Sequence, residues 1–221
     1  MHFYHSRALD STKILTRQEM AAVLSDLKRK SIRSKNTKLN LIIFRLASCC
    51  GLRVSEIANL RINDVRVELS RPNLRIRRSA AKGGKSRNVP LWWDAGTLDD
   101  LRAWKNERLA QDAASDDVFI KSPRVRKKRN GAAQVIVKAE RLSRHTVRKR
   151  FRTACKILGT ARLETLTIHH GRHTFISHAL AGGRTLAEVR DAAGHCNVSI
   201  TSSYLHVVVD ENEEVGMLFS S

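Results

Sequence analysis

Residues 39–60 read LNLIIFRLASCCGLRVSEIANL. The run from about Leu39 to Cys50 is strongly apolar and predicts a buried helix, which stops at Gly51, a residue suited to the position just past a helix end. Arg53 to Leu60 then reads as a short helix, so Arg53 stands where one helix has ended and the next begins. Upstream, residues 1–14 look like an irregular leader. Thr16-Arg17-Gln18-Glu19 has the spacing of a capping box and opens a helix through Met20, Val23, Leu24 and Leu27. Downstream, Leu74–Arg77 and Arg87–Leu91 read as two strands joined by a turn around Gly83-Gly84. A long helix follows from about Thr97 to Gln111, with Leu98, Leu101, Trp104 and Leu109 as its apolar stripe. The expected fold is mainly α with a small antiparallel β-sheet or hairpin, an α+β domain.

The 221 residues include 41 Lys and Arg against 21 Asp and Glu, a formal charge of +20. Hydrophobic residues make up 42% of the chain, enough to bury a core, so this is no disordered basic tail. Such charge on a globular chain points to a polyanion, above all nucleic acid. Aromatic residues are only 5%, few for holding single strands by base stacking, which favours grip on a duplex backbone. From Lys121 to Lys156 there are fourteen Lys or Arg and one acid, Glu140. Arg124 to Lys138 reads as a mobile basic loop. Ser143 to about Leu158 reads as a capped helix studded with Arg144, Arg148, Lys149, Arg150 and Arg152. A solvated face usually mixes charge signs. This segment does not, which marks it for nucleic-acid contact.

No apolar run approaches the roughly 18 residues of a membrane span, and no signal-peptide core or lipidation motif is visible. The expected location is the cytoplasm, on the nucleoid when DNA is bound, with no membrane partner. The four cysteines form no CxxC pair and are expected to be small buried or half-buried thiols.

Clustered carboxylates for a two-metal site and a P-loop are both missing from the sequence. Metal-free phosphoryl chemistry remains, which needs a nucleophile, cationic clamps and a proton donor. Arg53 at a helix start makes sense if a phosphate binds between its guanidinium and the helix amides. Ala81-Lys82-Gly83-Gly84-Lys85-Ser86-Arg87 presents lysines on a flexible tip, where one could donate a proton to a leaving oxygen. His169 and Arg172 lie three apart, so one helical face can aim both at one phosphate. His195 and Tyr204 lie nine apart and would face opposite ways in an unbroken helix, so a break between them is needed. Cys196-Asn197-Val198-Ser199 has the cap chemistry for one. Taken singly these features are ambiguous: Arg53 fits a surface arginine, basic hairpin tips are ordinary, and Tyr204 fits a packed tyrosine.

Together, Gly51-Leu52-Arg53-Val54-Ser55-Glu56, the Lys82 hairpin, His169-x-x-Arg172-His173-Thr174-Phe175, Gly194-His195 and Tyr204-Leu205-His206-Val207 resemble the tyrosine recombinase (phage integrase) family. The resemblance implies that family's catalytic-domain fold over residues 15–207. It also implies a site-specific recombinase or integrase that cleaves and rejoins duplex DNA through a 3′-phosphotyrosyl intermediate. Tyr204 would be the nucleophile, Arg53 and Arg172 would bind the non-bridging phosphate oxygens, and Lys82 would protonate the departing 5′ oxygen. His169 would serve as acid/base toward the tyrosine, and His195 would hydrogen-bond the phosphate. No metal, ATP or other cofactor is implied. Lys85, Arg87, Arg144, Arg148, Lys149 and Arg152 are the expected DNA contacts.

The implied partners are double-stranded DNA, three further copies in a tetramer on DNA, and accessory DNA-bending or directionality proteins. The tail from residue 205 carries four acids and no Lys or Arg, so it is not expected along the duplex. Val215, Leu218 and Phe219 fall at helical spacing, and residues 208–221 would form a tail helix docked on its own domain or, as the resemblance implies, exchanged between protomers. The family's N-terminal core-binding domain is expected to be absent. Gly171 and Ala193 stand where the family usually has leucine, and Gly171 is expected to loosen its helix start. The alternatives are a type IB topoisomerase-like or telomere-resolving enzyme of the same chemistry, and a catalytically idle DNA-binding regulator.

Overall fold

Capping chemistry sets most helix starts. The structure, a computed structural model, describes residues 11–79, 85–111, 114–121, 124–126, 135–137 and 141–205. Thr16 and Glu19 each accept the other's backbone N–H, at 3.1 and 2.9 Å, and open α1 (Arg17–Ser31). Ser34 caps α2 (Lys35–Phe44), which therefore begins earlier than its apolar run. The remainder of that run, Arg45–Cys49, widens into a π turn, with the Cys50 N–H bonded to the Arg45 carbonyl. Gly51, at φ +62°, makes the corner into α3 (Val54–Asn59). A Cβ at Gly51 would fall inside van der Waals contact of the Phe175 ring, so both backbone and space demand glycine.

Three short strands follow, β1 (Val65–Arg66), β2 (Asn73–Ile76) and β3 (Arg87–Pro90), in an antiparallel sheet ordered β1-β2-β3. Leu74 pairs with Val65 on one side and Val89 on the other, and these three with Ile76 form the buried face. The strand β1 has only two residues, too few for an alternating pattern to announce it. Lys82 lies outside the described residues. Asp94 then caps α4 (Ala95–Leu109), whose buried face is Thr97, Leu101, Trp104, Lys105 and Arg108. The expected stripe is corrected at its end: Leu109 is exposed, and the aliphatic stems of Lys105 and Arg108 cover the core instead.

The expectation of a mobile loop over Arg124–Lys138 is also corrected at 124–126 and 135–137, the part of it within the described residues. The antiparallel strands β4 (Arg124–Arg126) and β5 (Val135–Val137) pair there, as the β-branched Val125, Val135, Ile136 and Val137 favour. Ser143 caps α5 (Arg144–Ala154), which tightens into a 3₁₀ turn over Cys155–Leu158. The helices α6 (Thr160–Thr165), α7 (Ile168–Ala181), α8 (Leu186–Ala193) and α9 (Val198–Ser202) complete the described chain. Phe44 stacks on Phe151, and Trp93 on Phe175, joining α2 to α5 and the β3–α4 corner to α7. Cys49, Cys50 and Cys155 are buried as expected, but Cys196 is exposed. No helix among the described residues is long and apolar enough to cross a membrane.

Helix α7 lies directly on the π turn. A Cβ at Gly171 would sit 2.8 Å from Ser48 Oγ and 3.2 Å from Ala47, so glycine brings the two backbones into close approach. This overturns the expected loosening, because the missing side chain tightens the start of α7. Replacing Gly171 with Leu is expected to lower stability by about 2–3 kcal/mol through overpacking, measured by urea unfolding.

Candidate active site

Glu56 organises one half of the site. It is almost fully buried, and both its oxygens accept from the Arg87 guanidinium at 2.7 and 2.8 Å. It also accepts from the Arg53 backbone N–H (2.8 Å) and from Arg53 Nη1 (3.1 Å). Burial pushes its pKa up, yet the Arg87 pair and the Arg53 contacts outweigh that and hold the carboxyl below its ordinary range. Arg53 Nη2 donates to the Gly194 carbonyl at 3.4 Å. Glu56 thus takes the N–H of the cap residue Arg53 at the start of α3.

Arg87 is a further correction. Expected on the DNA, its side chain is only 8% exposed, with its guanidinium on Glu56 and its Nε donating to the Ala192 carbonyl at 2.8 Å. It is an internal counter-ion that ties β3 to α3 and α8. Gly194, at φ +68°, lets this arginine pass, since a Cβ there would lie 2.7 Å from Arg87 Cδ.

Arg172 projects from the first turns of α7 into the same space. It donates to the Gly51 carbonyl (2.7 Å) and the Ala193 carbonyl (2.5 Å). Burial first, then Arg53 and Arg87, draw its pKa down to about 9, still charged at neutral pH. Two guanidiniums therefore meet the Glu56 carboxylate, with the buried Arg172 guanidinium as a third charge nearby. The excess positive charge matches a phosphate whose negative charge grows during transfer.

The break expected between His195 and Tyr204 is present. Helix α8 ends at a left-handed Gly194, and Asn197 caps α9 by accepting from the Ser199 N–H. The chain then turns so that the His195 and Tyr204 rings lie 6.3 Å apart. His195 Nδ1 shares a hydrogen bond with Thr201 Oγ1 (2.9 Å), and burial beside Arg172, Arg53 and Arg87 lowers its pKa to about 4. Tyr204 is 7% exposed, and burial raises its pKa above the ordinary 10 despite the pull of Arg172. Its hydroxyl lies 2.6 Å from His173 Nδ1.

His169 is exposed one turn before His173. Burial of part of its ring, followed by Arg148, Arg172 and Arg53, lowers its pKa. With Arg148, Lys149, Arg152 and Phe151 of α5 it lines a cavity of about 610 Å³. The structure therefore gathers Arg53, Arg172, His195 and Tyr204, with His169 at the rim. Lys85 is exposed beside β3, and Arg144, Arg148, Lys149 and Arg152 stand on the exposed face of α5. Glu56, Thr201 and the His173 contact were not singled out from sequence. Only the i, i+3 spacing of Arg53 and Glu56 and the i, i+4 spacing of His169 and His173 signalled them.

Among solved structures the chain is similar to the XerA recombinase, with TM-score 0.66 and 22% identity over 95% of this chain and 62% of that one. It is also similar to the XerH site-specific recombinase bound to palindromic difH substrate, with TM-score 0.64 and 21% identity over 91% of this chain and 52% of that one. The architecture is that of tyrosine recombinase catalytic domains. The chain belongs to the phage integrase family, whose family model matches residues 13–211. It is 31% identical to tyrosine recombinase XerA of Thermococcus onnurineus over 90% of this chain and 59% of that protein. It is 35% identical to tyrosine recombinase XerC of Chromobacterium violaceum over 73% of this chain and 46% of that protein. The chain thus spans about half the length of the curated relatives it matches.

Proposed function

We propose that this chain cleaves and rejoins duplex DNA as a site-specific tyrosine recombinase, with Tyr204 forming a 3′-phosphotyrosyl bond. The observation that carries this reading is Tyr204 held close to Arg172, beside an arginine cluster in which Arg53 and Arg87 share the Glu56 carboxylate. Arg53 and Arg172 clamp the non-bridging oxygens, where charge develops in the transition state. His195, fixed by Thr201, donates to the same phosphate, and His169 lies at its edge. Lys82 supplies the proton for the 5′ oxygen in this scheme. The phosphotyrosyl bond conserves the energy of the broken phosphodiester, so rejoining needs no further energy source. The topoisomerase-like, telomere-resolving and idle-regulator alternatives have no observation in their favour.

The test is covalent capture. The protein is incubated, with chelator present, with a pool of labelled nicked duplexes whose flanks are randomised. Denaturant-resistant protein–DNA complexes are then digested and the modified peptide mapped. A 3′ link to Tyr204 is expected. No covalent complex, or a link to another residue, would overturn the proposal.

The duplex is placed along α5. Each phosphate contact contributes about 0.9 to the salt slope of binding to duplex DNA, so replacing Arg144, Arg148 and Lys149 together with Ala should flatten it by up to about three units. An unchanged slope in a salt titration would put the DNA on another face. Assembly is part of the same proposal: four copies on DNA, accessory DNA-bending or directionality proteins, and a tail over 208–221 that docks on a neighbouring copy. The tail lies outside the described residues.

A further inference from the structure

We infer that His173 is a catalytic residue of this chain, the base that takes the Tyr204 hydroxyl proton when the tyrosine attacks DNA. The inference deepens the proposed cleavage reaction and rests on it. The family resemblance gives acid/base work toward the tyrosine to His169, but the side chain that touches the nucleophile here is His173. Its Nδ1 lies 2.6 Å from Tyr204 Oη, with the two rings 5.6 Å apart and tilted by 33°. Among the described residues this is the one hydrogen bond of the Tyr204 hydroxyl. A nucleophile and a nitrogen base within hydrogen-bond reach is the arrangement that activates weak oxygen nucleophiles.

Burial, with the charged surroundings, keeps that base unprotonated. His173 faces His169, His170 and Arg172 from its own helix α7, Lys13 from the turn before α1, Tyr204 from the segment after α9, and His195 from the α8–α9 corner. None of these is an acid. Burial, then the neighbouring histidines, Arg172 and Lys13, lower its pKa to about 4, so the imidazole is neutral and its Nδ1 lone pair can accept the Tyr204 O–H. In the free protein the proton stays on Tyr204, whose own pKa is raised. A DNA phosphate seated on Arg53 and Arg172 changes that balance, because its negative charge offsets the guanidiniums and favours an imidazolium nearby. Nucleophile activation is thereby coupled to the arrival of DNA.

The step balances as follows. The Tyr204 Oη–phosphorus bond forms, the bond from phosphorus to the 5′ oxygen breaks, and the tyrosine proton moves to His173 Nδ1. The 5′ oxygen takes its proton from the acid assigned to Lys82. On rejoining, the 5′-hydroxyl attacks phosphorus and gives its proton back to Lys82, the bond from phosphorus to Tyr204 Oη breaks, and the His173 imidazolium returns its proton to the departing tyrosine.

The experiment uses a nicked duplex recovered by wild-type covalent capture, made with either oxygen or sulfur at the bridging 5′ position. Sulfur leaves without a proton, so it removes the demand for an acid and isolates activation of the nucleophile. His173→Gln preserves polarity but takes up no proton. It is expected to slow attachment about 100-fold on both substrates, with duplex affinity and thermal midpoint near wild type. Lys82→Ala should be slow on oxygen alone. Should His173→Gln fail to fold, His173→Ala with added imidazole serves, and rescue of its attachment rate is expected. An oxygen-only defect in His173→Gln would overturn the inference, since His173 would then act on the leaving group. Attachment at the wild-type rate or faster would also overturn it, speed marking the contact as a latch on the tyrosine. If the wild type itself captures no DNA, it is the proposed cleavage reaction that fails.

Discussion

Tyr204→Phe is expected to abolish covalent attachment to DNA while changing duplex affinity by no more than about twofold, because affinity comes from Lys and Arg contacts to phosphates. The substitution removes one oxygen from a ring that is otherwise packed, so the fold should tolerate it. Among the described residues its hydroxyl makes one hydrogen bond, to His173. The arginine cluster of Arg53, Arg87 and Arg172 is untouched, and the variant should still bind a phosphate there. Denaturing gels and a binding titration on the same nicked duplex check both halves. Residual attachment at a measurable rate would mean that another residue is the nucleophile.

Glu56→Ala is expected to have the largest effect on stability. It would leave Arg87 buried without its carboxylate, and breaking a buried pair costs about 3–5 kcal/mol. For a chain of this length that corresponds to a fall in Tm of roughly 10 °C. Arg53, Arg87 and Arg172 would also repel each other without the central acid, so weakened cleavage should accompany the loss. Thermal unfolding against pH adds a second check. Glu56 has a depressed pKa in the folded protein, so its contribution is full above the ordinary carboxylate value of 4.5 and lost as acid titrates through the lower folded value. His173, His178 and His195 fall to about 4 from 6.5, so the unfolded chain takes up their protons first and stability declines from about pH 6.5 downward. Glu56→Ala should keep the histidine decline and lose the further drop below 4.5.

Local chemistry was legible where it acts over a few residues. The Thr16–Glu19 capping box, the Gly51 corner, the Ser143 cap and the break before Tyr204 all appear where their residue types place them. What escaped was decided by partners far along the chain. A basic residue beside a turn reads as a DNA contact, and nothing within reach of Arg87 in sequence says that Glu56, 31 positions earlier, will take it. The pairing of β4 with β5 was hidden because the lysines and arginines around Val125 and Ile136 suggest a loop. The π turn escaped because Arg45–Cys49 keeps the apolar character of an α-helix, and only its fit to Gly171 shows the difference. His173 stood inside a recognised motif, yet its partner became visible only once the corner at Gly194 brought Tyr204 back.

Arg172 ties together residues that enter the chain far apart. Its two carbonyl partners belong to Gly51, 121 positions upstream, and Ala193, 21 downstream, while Arg53 reaches 141 positions forward to Gly194. Contacts across such spans close late, because loop-closure entropy must be overcome before they form. The candidate site is therefore expected to be one of the last parts of the molecule to assemble. A chain nicked by a protease between residues 53 and 172 holds every residue of the candidate site without the means to align them. If the site does the DNA cleavage proposed above, incompetence until folding is complete is a safeguard supplied by topology alone.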